Sequence, residues 1–403
     1  MNSELCVKEP CRLLHLVHGL NLGGLELMVK RLVEGLDPTK FQTTICCYDY
    51  CGELVNDIER AGAEVMFLPR RPGVDWRYPF HLRPILRKRR IDLLHCHNHL
   101  SFVYGVPAAK LAGTPGVVYT EHGRVLPTSF RFTLANRVLS RLDVHTVPVS
   151  AALAKELHRV EHFSLRKMTI IPNGVPESRV PDEAHRLRLR RNMQAGADNF
   201  LIGTVGRLED VKNHLGLIRA MPELIRTHPF VRLAIVGGGS LMAPLQDEVR
   251  RLGLTKYVVL PGPSTDVGAY LHSFDLFVLT SKSEGMPLAL LEAMGAGKAS
   301  VAMNVGGVSE AIDDGVEGLL VPAGDFAQFT TKLRWLIDKP KSREAMAARA
   351  RQTIQQRFTI GRMVADYAAL YARVLTRPDL MPLEDSPCTS ATTERANHLA
   401  PTV

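Results

Sequence analysis

Short apolar runs alternate with amphipathic stretches from about residue 12 to residue 375. In the first half, Arg12–His18, Gln42–Cys47, Glu64–Leu68, Asp92–Cys96, Val117–Thr120 and Val144–Val149 read as strands. Between them, helical periods run up to about Leu36 and over Leu54–Ala61, His81–Arg90 and Phe102–Ala112. Another runs over Ala151–Val160 with Ser150 as its N-cap. The second half repeats the rhythm. Strands are expected at Leu201–Val205, Val231–Val236, Val258–Leu260, Phe274–Thr280, Ser300–Ala302 and Gly318–Val321. Helices are expected up to Arg226, over Met242–Leu252, Pro287–Ala296, from Glu310, and over Phe326–Ile337, Ser342–Phe358 and Gly361–Leu375. Strand-helix alternation of this kind predicts an α/β fold with parallel, doubly wound sheets. Residues 176–198 are charged and irregular in period, which suits a link carrying a short helix and a second source of positive charge. The tail 376–403 is rich in Pro, Ser, Thr and charge without periodicity, and is expected to be disordered.

Composition narrows the class. The chain has 403 residues, 45% of them apolar, enough for two or three domains with sizeable cores. No run of apolar residues reaches membrane-spanning length, and Met1–Arg12 lacks the apolar centre of a signal peptide. Seven cysteines without framework spacing suit a reduced, cytoplasmic protein. Cys46, Cys47 and Cys51 lack the partners of a zinc site and read as strand-buried thiols. The net charge of +9 is uneven. Residues 1–200 hold 28 Lys and Arg against 20 Asp and Glu, and the remainder 22 against 21. A basic first half predicts an anionic partner: a membrane surface, a phosphorylated acceptor or nucleic acid.

Candidate chemistry gathers around Ser283-Glu284-Gly285-Met286-Pro287-Leu288 and the helix that follows. A loop and a helix N-terminus just past a strand's carboxyl end are where open α/β sheets bind ligands. Free amides at about Met286 to Leu288 suit a phosphate. Glu284 lies on the loop and Glu292 about two turns up the helix, so the two carboxylates can accept from hydroxyls at two points along one ligand. A nucleotide-sugar has that layout: hexose, diphosphate, ribose. Upstream, Gly206-Arg207 with Lys212 places two cations at another helix start. Gly237-Gly238-Gly239 and Pro261-Gly262 are close-approach loops, and Gly306-Gly307 precedes Glu310. Near the N-terminus, Gly19-Leu20-Asn21-Leu22-Gly23-Gly24 links strand to helix; its spacing is not that of a dinucleotide fingerprint. Asp49 reads as a turn residue rather than a ribose acid. His122 should sit at a strand's carboxyl end, followed by Gly123 and Arg124. His95, His97 and His99 alternate onto one strand face, a metal-like pattern without a partner acid, and no metal site is expected.

In this order the motifs resemble the E-x7-E signature of retaining glycosyltransferases of family GT4, which have the GT-B fold. The resemblance covers roughly residues 12–375 and implies two Rossmann-like domains facing across a cleft: 1–175 and 199–358, joined by 176–198, with 359–375 crossing back to the first. It implies a nucleotide-diphosphate sugar as donor, no cofactor and no metal. By the match, Arg207 and Lys212 clamp the diphosphate, Glu284 holds the sugar and Glu292 the ribose. His122 lies beside donor sugar and acceptor. Gly23, Gly24, Gly206, Gly238, Gly262 and Gly285 let backbone approach the donor, and Arg124 would reach a phosphate. The cluster Arg83, Arg87, Lys88, Arg89, Arg90 has two readings: cations complementing a helix C-terminus, or a docking patch for anionic lipid at the inner face of the membrane. A basic first domain suits a lipid-linked or phosphorylated acceptor. Competing functions are a non-catalytic GT-B binding module and a nicotinamide-dependent oxidoreductase. A nucleic-acid binder lacks a stacking platform here.

Overall fold

In the computed structural model, residues 10–123 and 130–376 are described. The tail 377–403 and Arg124 lie outside them. The first half comprises β1 (Cys11–Val17), α1 (Gly24–Gly35), β2 (Phe41–Cys47), α2 (Val55–Arg60), β3 (Glu64–Phe67), α3 (Tyr78–Lys88), β4 (Leu93–His97), α4 (His99–Ala112), β5 (Gly116–Glu121), α5 (Phe130–Leu139), β6 (His145–Pro148) and α6 (Ala151–Glu161). After α7 (Glu183–Asn192) come β7 (Phe200–Val205), α8 (His214–Thr227), β8 (Val231–Val236), α9 (Met242–Arg251), β9 (Val258–Gly262), α10 (Val267–Ser273), β10 (Leu276–Leu279), α11 (Leu288–Gly295), β11 (Ser300–Met303), α12 (Val308–Ala311), β12 (Gly318–Val321), α13 (Phe326–Asp338), α14 (Pro340–Arg357) and α15 (Ile360–Thr376).

Two six-stranded parallel sheets result, ordered β3-β2-β1-β4-β5-β6 and β12-β11-β10-β7-β8-β9. Both orders are the doubly wound pattern, and each reverses between its first and fourth strand: β1/β4 and β7/β10. The crevice outside the carboxyl ends at such a reversal is where this architecture takes ligands. The strands are near-continuous apolar runs because helices cover both faces. One face of the first sheet buries Leu13, Val17, Leu93 and Val118 against Leu32 of α1 and Tyr367 and Tyr371 of α15. The last helix therefore packs on the first sheet although it follows the second in sequence. The other face joins a larger core that continues into the second sheet.

Three local readings are corrected. β4 ends at His97, and Asn98, with φ +70, turns the chain into α4, so His99 leaves the strand face. His99 instead accepts a contact from Asn136 on α5. Proline stands at the N-cap of α11 rather than within its first turn. The arginine-rich link is only in part a free store of positive charge: Arg179, Arg188 and Arg191 are exposed, whereas two others are engaged. Arg190 of α7 is buried, donating to the carbonyls of Ser273 (2.8 Å) and Asn199 (2.7 Å) and to Asp275 (3.0 Å). Arg186 is paired with Glu183. We expect Arg190→Ala to lower stability on the order of 2 to 4 kcal/mol, because it strands two carbonyls and a carboxylate. The urea midpoint checks this; an unchanged midpoint would mean that water replaces the guanidinium at no cost.

Candidate functional site

The loops at the second reversal point carry the acidic and cationic side chains. After β7 the chain passes Gly206 and Arg207 into a 3-10 turn, Asp210–Lys212, and Asn213 at φ +53 starts α8. After β10 it passes Ser281 and Glu284 into α11. The two loops are tied together: Lys212 Nζ donates to Glu284 Oε1 at 2.6 Å, and Ser281 Oγ donates to the same oxygen at 2.6 Å. The Thr280 hydroxyl contacts the carbonyls of Lys212 and Asn213. Glu284 keeps its second oxygen for another partner. The Arg207 guanidinium is exposed and makes no hydrogen bond or ion pair among the described residues. It is thus an unspent cation beside a charge-balanced pair.

Glycines bring backbone to backbone here. A Cβ on Gly237 would lie 1.9 Å from the Gly206 carbonyl oxygen, and one on Gly306 would lie 1.8 Å from that of Glu284. Both have positive φ, so no other residue serves there without strain. Gly307 N–H donates to the Gly285 carbonyl at 3.1 Å, holding the Glu284 loop.

The first sheet meets this loop directly. A Cβ on Gly285 would lie 2.3 Å from the His122 carbonyl oxygen, and one on Gly24 would lie 3.4 Å from a Leu288 methyl. Asn173 Nδ2 donates to the Met286 carbonyl at 3.0 Å. Glu310 of α12 reaches the other way and accepts from the Ala151 and Ala152 amides at the start of α6, both at 2.8 Å. A carboxylate from one half thus caps a helix of the other. Arg31 of α1 donates to Glu292 Oε1 at 2.6 Å and to the Gly174 carbonyl at 3.3 Å.

A cleft of about 1740 Å³ lies between the halves. That exceeds a usual small-molecule pocket of roughly 300–1,000 Å³. His122, Arg207, Lys212, Glu284 and Glu292 all line it, as do Gly23, Gly24, Gly206, Gly238, Gly285, Met286, Pro287 and Leu288. Gly262 does not. Its carbonyl accepts from Gly237 at 2.9 Å, and its φ of +93 turns the chain so that Pro263–Ala269 line the cleft instead. The amides of Leu288 and Ala289 open α11 without an intrahelical acceptor.

Behind His122 lies a stack of buried rings. His95 and His97 of β4 share a face as the alternation predicts, but their third companion is His15 of β1. The three could in outline hold a metal. All their nitrogens but His15 Nε2 are otherwise engaged: His95 with the Tyr371 hydroxyl and Thr120, both at 2.7 Å, and His97 with His15 at 2.9 Å and His122 at 3.2 Å. Among the described residues no carboxylate joins the group to offset a dication. The hydrogen-bonded stack is the arrangement these rings fit. Burial pushes the proton affinity of all four down, His15 to about 3.

Arg31, Asn173, Ser281 and His15 were not singled out from the sequence. Each lies far along the chain from its partner or carries no motif. Asn173 alone had a signal, its place in Pro172-Asn173-Gly174-Val175. Asp49, read as a turn residue, pairs with Arg70 at 2.7 Å.

Comparison with known proteins bears on both halves. Residues 186–353 match the family described as glycosyl transferases group 1, and residues 22–179 match Glycosyltransferase Family 4. The chain is 29% identical over 308 residues to the Escherichia coli UDP-Gal:alpha-D-GlcNAc-diphosphoundecaprenol alpha-1,3-galactosyltransferase, covering 74% of this chain and 79% of that protein. It is 30% identical over 257 residues to the GDP-mannose-dependent alpha-(1-6)-phosphatidylinositol monomannoside mannosyltransferase of Mycolicibacterium smegmatis, covering 61% and 67%. Its fold is similar to that of HepE from Anabaena in complex with UDP and glucose, with a TM-score of 0.80 and 21% identity over 90% of this chain and 99% of that one. With both sheets matched in sequence and the paired sheets matched in fold, the chain belongs to the group 1, family 4 glycosyltransferases and has the GT-B architecture.

Proposed function

We propose that the protein moves a hexose-type sugar from a nucleotide-diphosphate donor to an acceptor hydroxyl with retention at the anomeric carbon. The observation that carries this reading is the convergence of Lys212, Glu284 and the free Arg207 on the mouth of α11, with Glu292 further along the same cleft. Arg207, Lys212 and the first amides of α11 would meet the charge that develops on the departing diphosphate. Glu284, through its second oxygen, would accept from sugar hydroxyls, and Glu292 from the ribose. His122 and Gly24 face them from the first sheet, so the halves complete the site together and exclude water. The bond from the anomeric carbon to the diphosphate oxygen breaks. A new bond to the acceptor oxygen forms on the same face, and the acceptor's proton passes to the leaving phosphate. The reading uses Arg207 and Lys212 as its cations and calls on no cofactor.

Cell-surface polysaccharide or glycolipid assembly supplies the acceptor in this reading. The Escherichia coli relative's name specifies a sugar on diphosphoundecaprenol, and the cleft is larger than a donor needs. We further propose that α3 touches an anionic membrane. Trp76 and Phe80 are 59% and 61% exposed, beside Arg77, Arg83 and Arg87. Arg83 and Arg87 donate to the Leu111 and Ala112 carbonyls at the end of α4, so they neutralise that helix end while remaining at the surface. Arg89 is half-buried, paired with Glu64 and adds little, while Lys88 and Arg90 are exposed. No described helix is long and apolar enough to cross a membrane. Anionic liposomes at low salt are expected to pellet the protein, and Trp76→Ser with Phe80→Ser to release most of it. Equal pelleting of the double variant would remove α3 from the contact.

The test of the main reading is a panel of UDP-, GDP- and ADP-sugars, read by thermal shift and by nucleotide release. A clear hit names the donor. Absence of stabilisation by any sugar nucleotide or free nucleoside diphosphate would overturn the reading in favour of a non-catalytic module.

A further inference from the structure

The first sheet places four imidazoles along one face at its carboxyl end. His15 and His95 stand opposite in the β1/β4 register, and His97 stands opposite Thr120 in the β4/β5 register. His122 follows Thr120 by one pleat, on the same face. His15, His95 and His97 are fully buried. His95 has both nitrogens tied to hydroxyls and forms a side branch. The other three form a line: His15 Nδ1 to His97 Nε2 at 2.9 Å, then His97 Nδ1 to His122 Nε2 at 3.2 Å. Their rings are nearly parallel, 23° apart at each step. The line ends inside the protein at His15 Nε2, a buried nitrogen with no hydrogen-bond partner. It ends outward at His122 Nδ1, which has no partner among the described residues and is not among the buried unpartnered atoms. His122 itself lines the cleft.

A neutral imidazole has one N–H and one lone pair, so the line has only two consistent proton arrangements. In one, every N–H points outward: His15 donates to His97, His97 donates to His122 Nε2, and His122 carries its proton on Nδ1. The buried end is then a bare lone pair. In the other, every N–H points inward, and His15 Nε2–H is buried without an acceptor. Orphaned buried N–H groups are the rarer defect in folded proteins. We infer that His97, backed by His15, is a positioning residue that orients His122 and holds it as the Nδ1–H tautomer, with a hydrogen-bond donor facing the cleft. A donor there suits a sugar hydroxyl or ring oxygen of the donor substrate. That last step rests on the placement of His122 beside the sugar given above; the tautomer assignment does not.

The test uses the full-length chain with ¹⁵N-labelled histidine, and reads the His122 ring nitrogens together with turnover. Wild type is expected to show one His122 tautomer, protonated at Nδ1. His97→Phe fills the same space without a donor. It is expected to mix the tautomers and lower kcat on the order of tenfold to a hundredfold, with the donor KM within about twofold because Arg207, Lys212 and Glu292, proposed above to hold the nucleotide, do not touch His97. His97→Asn, whose amide restores a donor near the Nδ1 position, is expected to recover most of the loss. A wild-type spectrum with His122 protonated at Nε2 would overturn the assignment even if no variant folds. Folded Phe and Asn variants that are equally impaired would reduce His97 to packing. Full transfer by His122→Ala would remove the sugar contact, while the nitrogen spectrum would still decide the tautomer.

Discussion

Lys212→Ala is expected to lower transfer on the order of 10²- to 10³-fold, with the melting temperature changed little. Two losses combine in this variant. In the proposed reading, the developing charge on the leaving diphosphate loses one of its two fixed cations. Glu284, whose side chain is only 9% exposed, loses the ammonium 2.6 Å from its Oε1 and keeps only the Ser281 hydroxyl on that oxygen. An unbalanced carboxylate at the mouth of the cleft then repels the diphosphate that Lys212 had attracted. Lys212→Arg keeps the charge but brings a planar fork to a pocket that holds a point charge between Ser281 and the turn, so it is expected to recover activity only in part. The measurement is single-turnover sugar transfer with saturating donor, beside a melting curve. Full activity in Lys212→Ala would refute the assignment of Lys212 to the leaving group.

Gly285→Ala is expected to cost at least 10²-fold in transfer without unfolding either half. Its φ is not in the left-handed region, so the backbone tolerates a side chain. The obstacle comes from the facing sheet: the added Cβ would lie 2.3 Å from the His122 carbonyl oxygen and 3.1 Å from Gly123 Cα. Both are main-chain atoms, so no side chain can swing away, and the halves must separate. Gly123→Ala pushes the same contact from the other side, with its Cβ 2.8 Å from Gly285 N. The separation is measurable as a larger radius of gyration by X-ray scattering. Gly361→Ala, an exposed α15 position with nothing within 4 Å, is the control. It is expected to retain activity and gain up to about 1 kcal/mol of stability. A compact, active Gly285→Ala would overturn the prediction by showing that the contact yields locally, and an expanded but active one would show that the halves work apart.

These two predictions differ in how far the sequence alone leads to them. Lys212 and Glu284 were legible as a cation and a carboxylate at two helix starts. The two strands before them are apolar, end in turn residues and lead into helices, and that is enough to place both loops at strand carboxyl ends. The contact between Gly285 and His122 was not legible. Glycine in a loop reads as turn chemistry, and Gly285 owes its identity to a carbonyl more than 160 positions away in the chain. The same limit explains His99, Gly262 and Arg190. His99 fits the strand's alternation until Asn98 turns left-handed. Gly262 sits beside the cleft but turns away from it. Arg190 looks like surface charge until its three acceptors are counted.

Local pattern therefore specified the elements, the parallel doubly wound sheets and the order of the loops that carry Arg207, Lys212, Glu284 and Glu292. The period of apolar residues is set within a few turns of chain, and so are helix starts and glycine loops. Tertiary pairing decided the rest: the meeting of the two halves put Arg31 on Glu292, Asn173 on Met286 and Glu310 on α6, and strand pairing within the first sheet put His15 at the end of the His122 line. Those contacts join residues from 82 to 261 positions apart, and a distance of a few ångströms between such residues exists only once the strands have paired and, for all but His15, the two sheets have met.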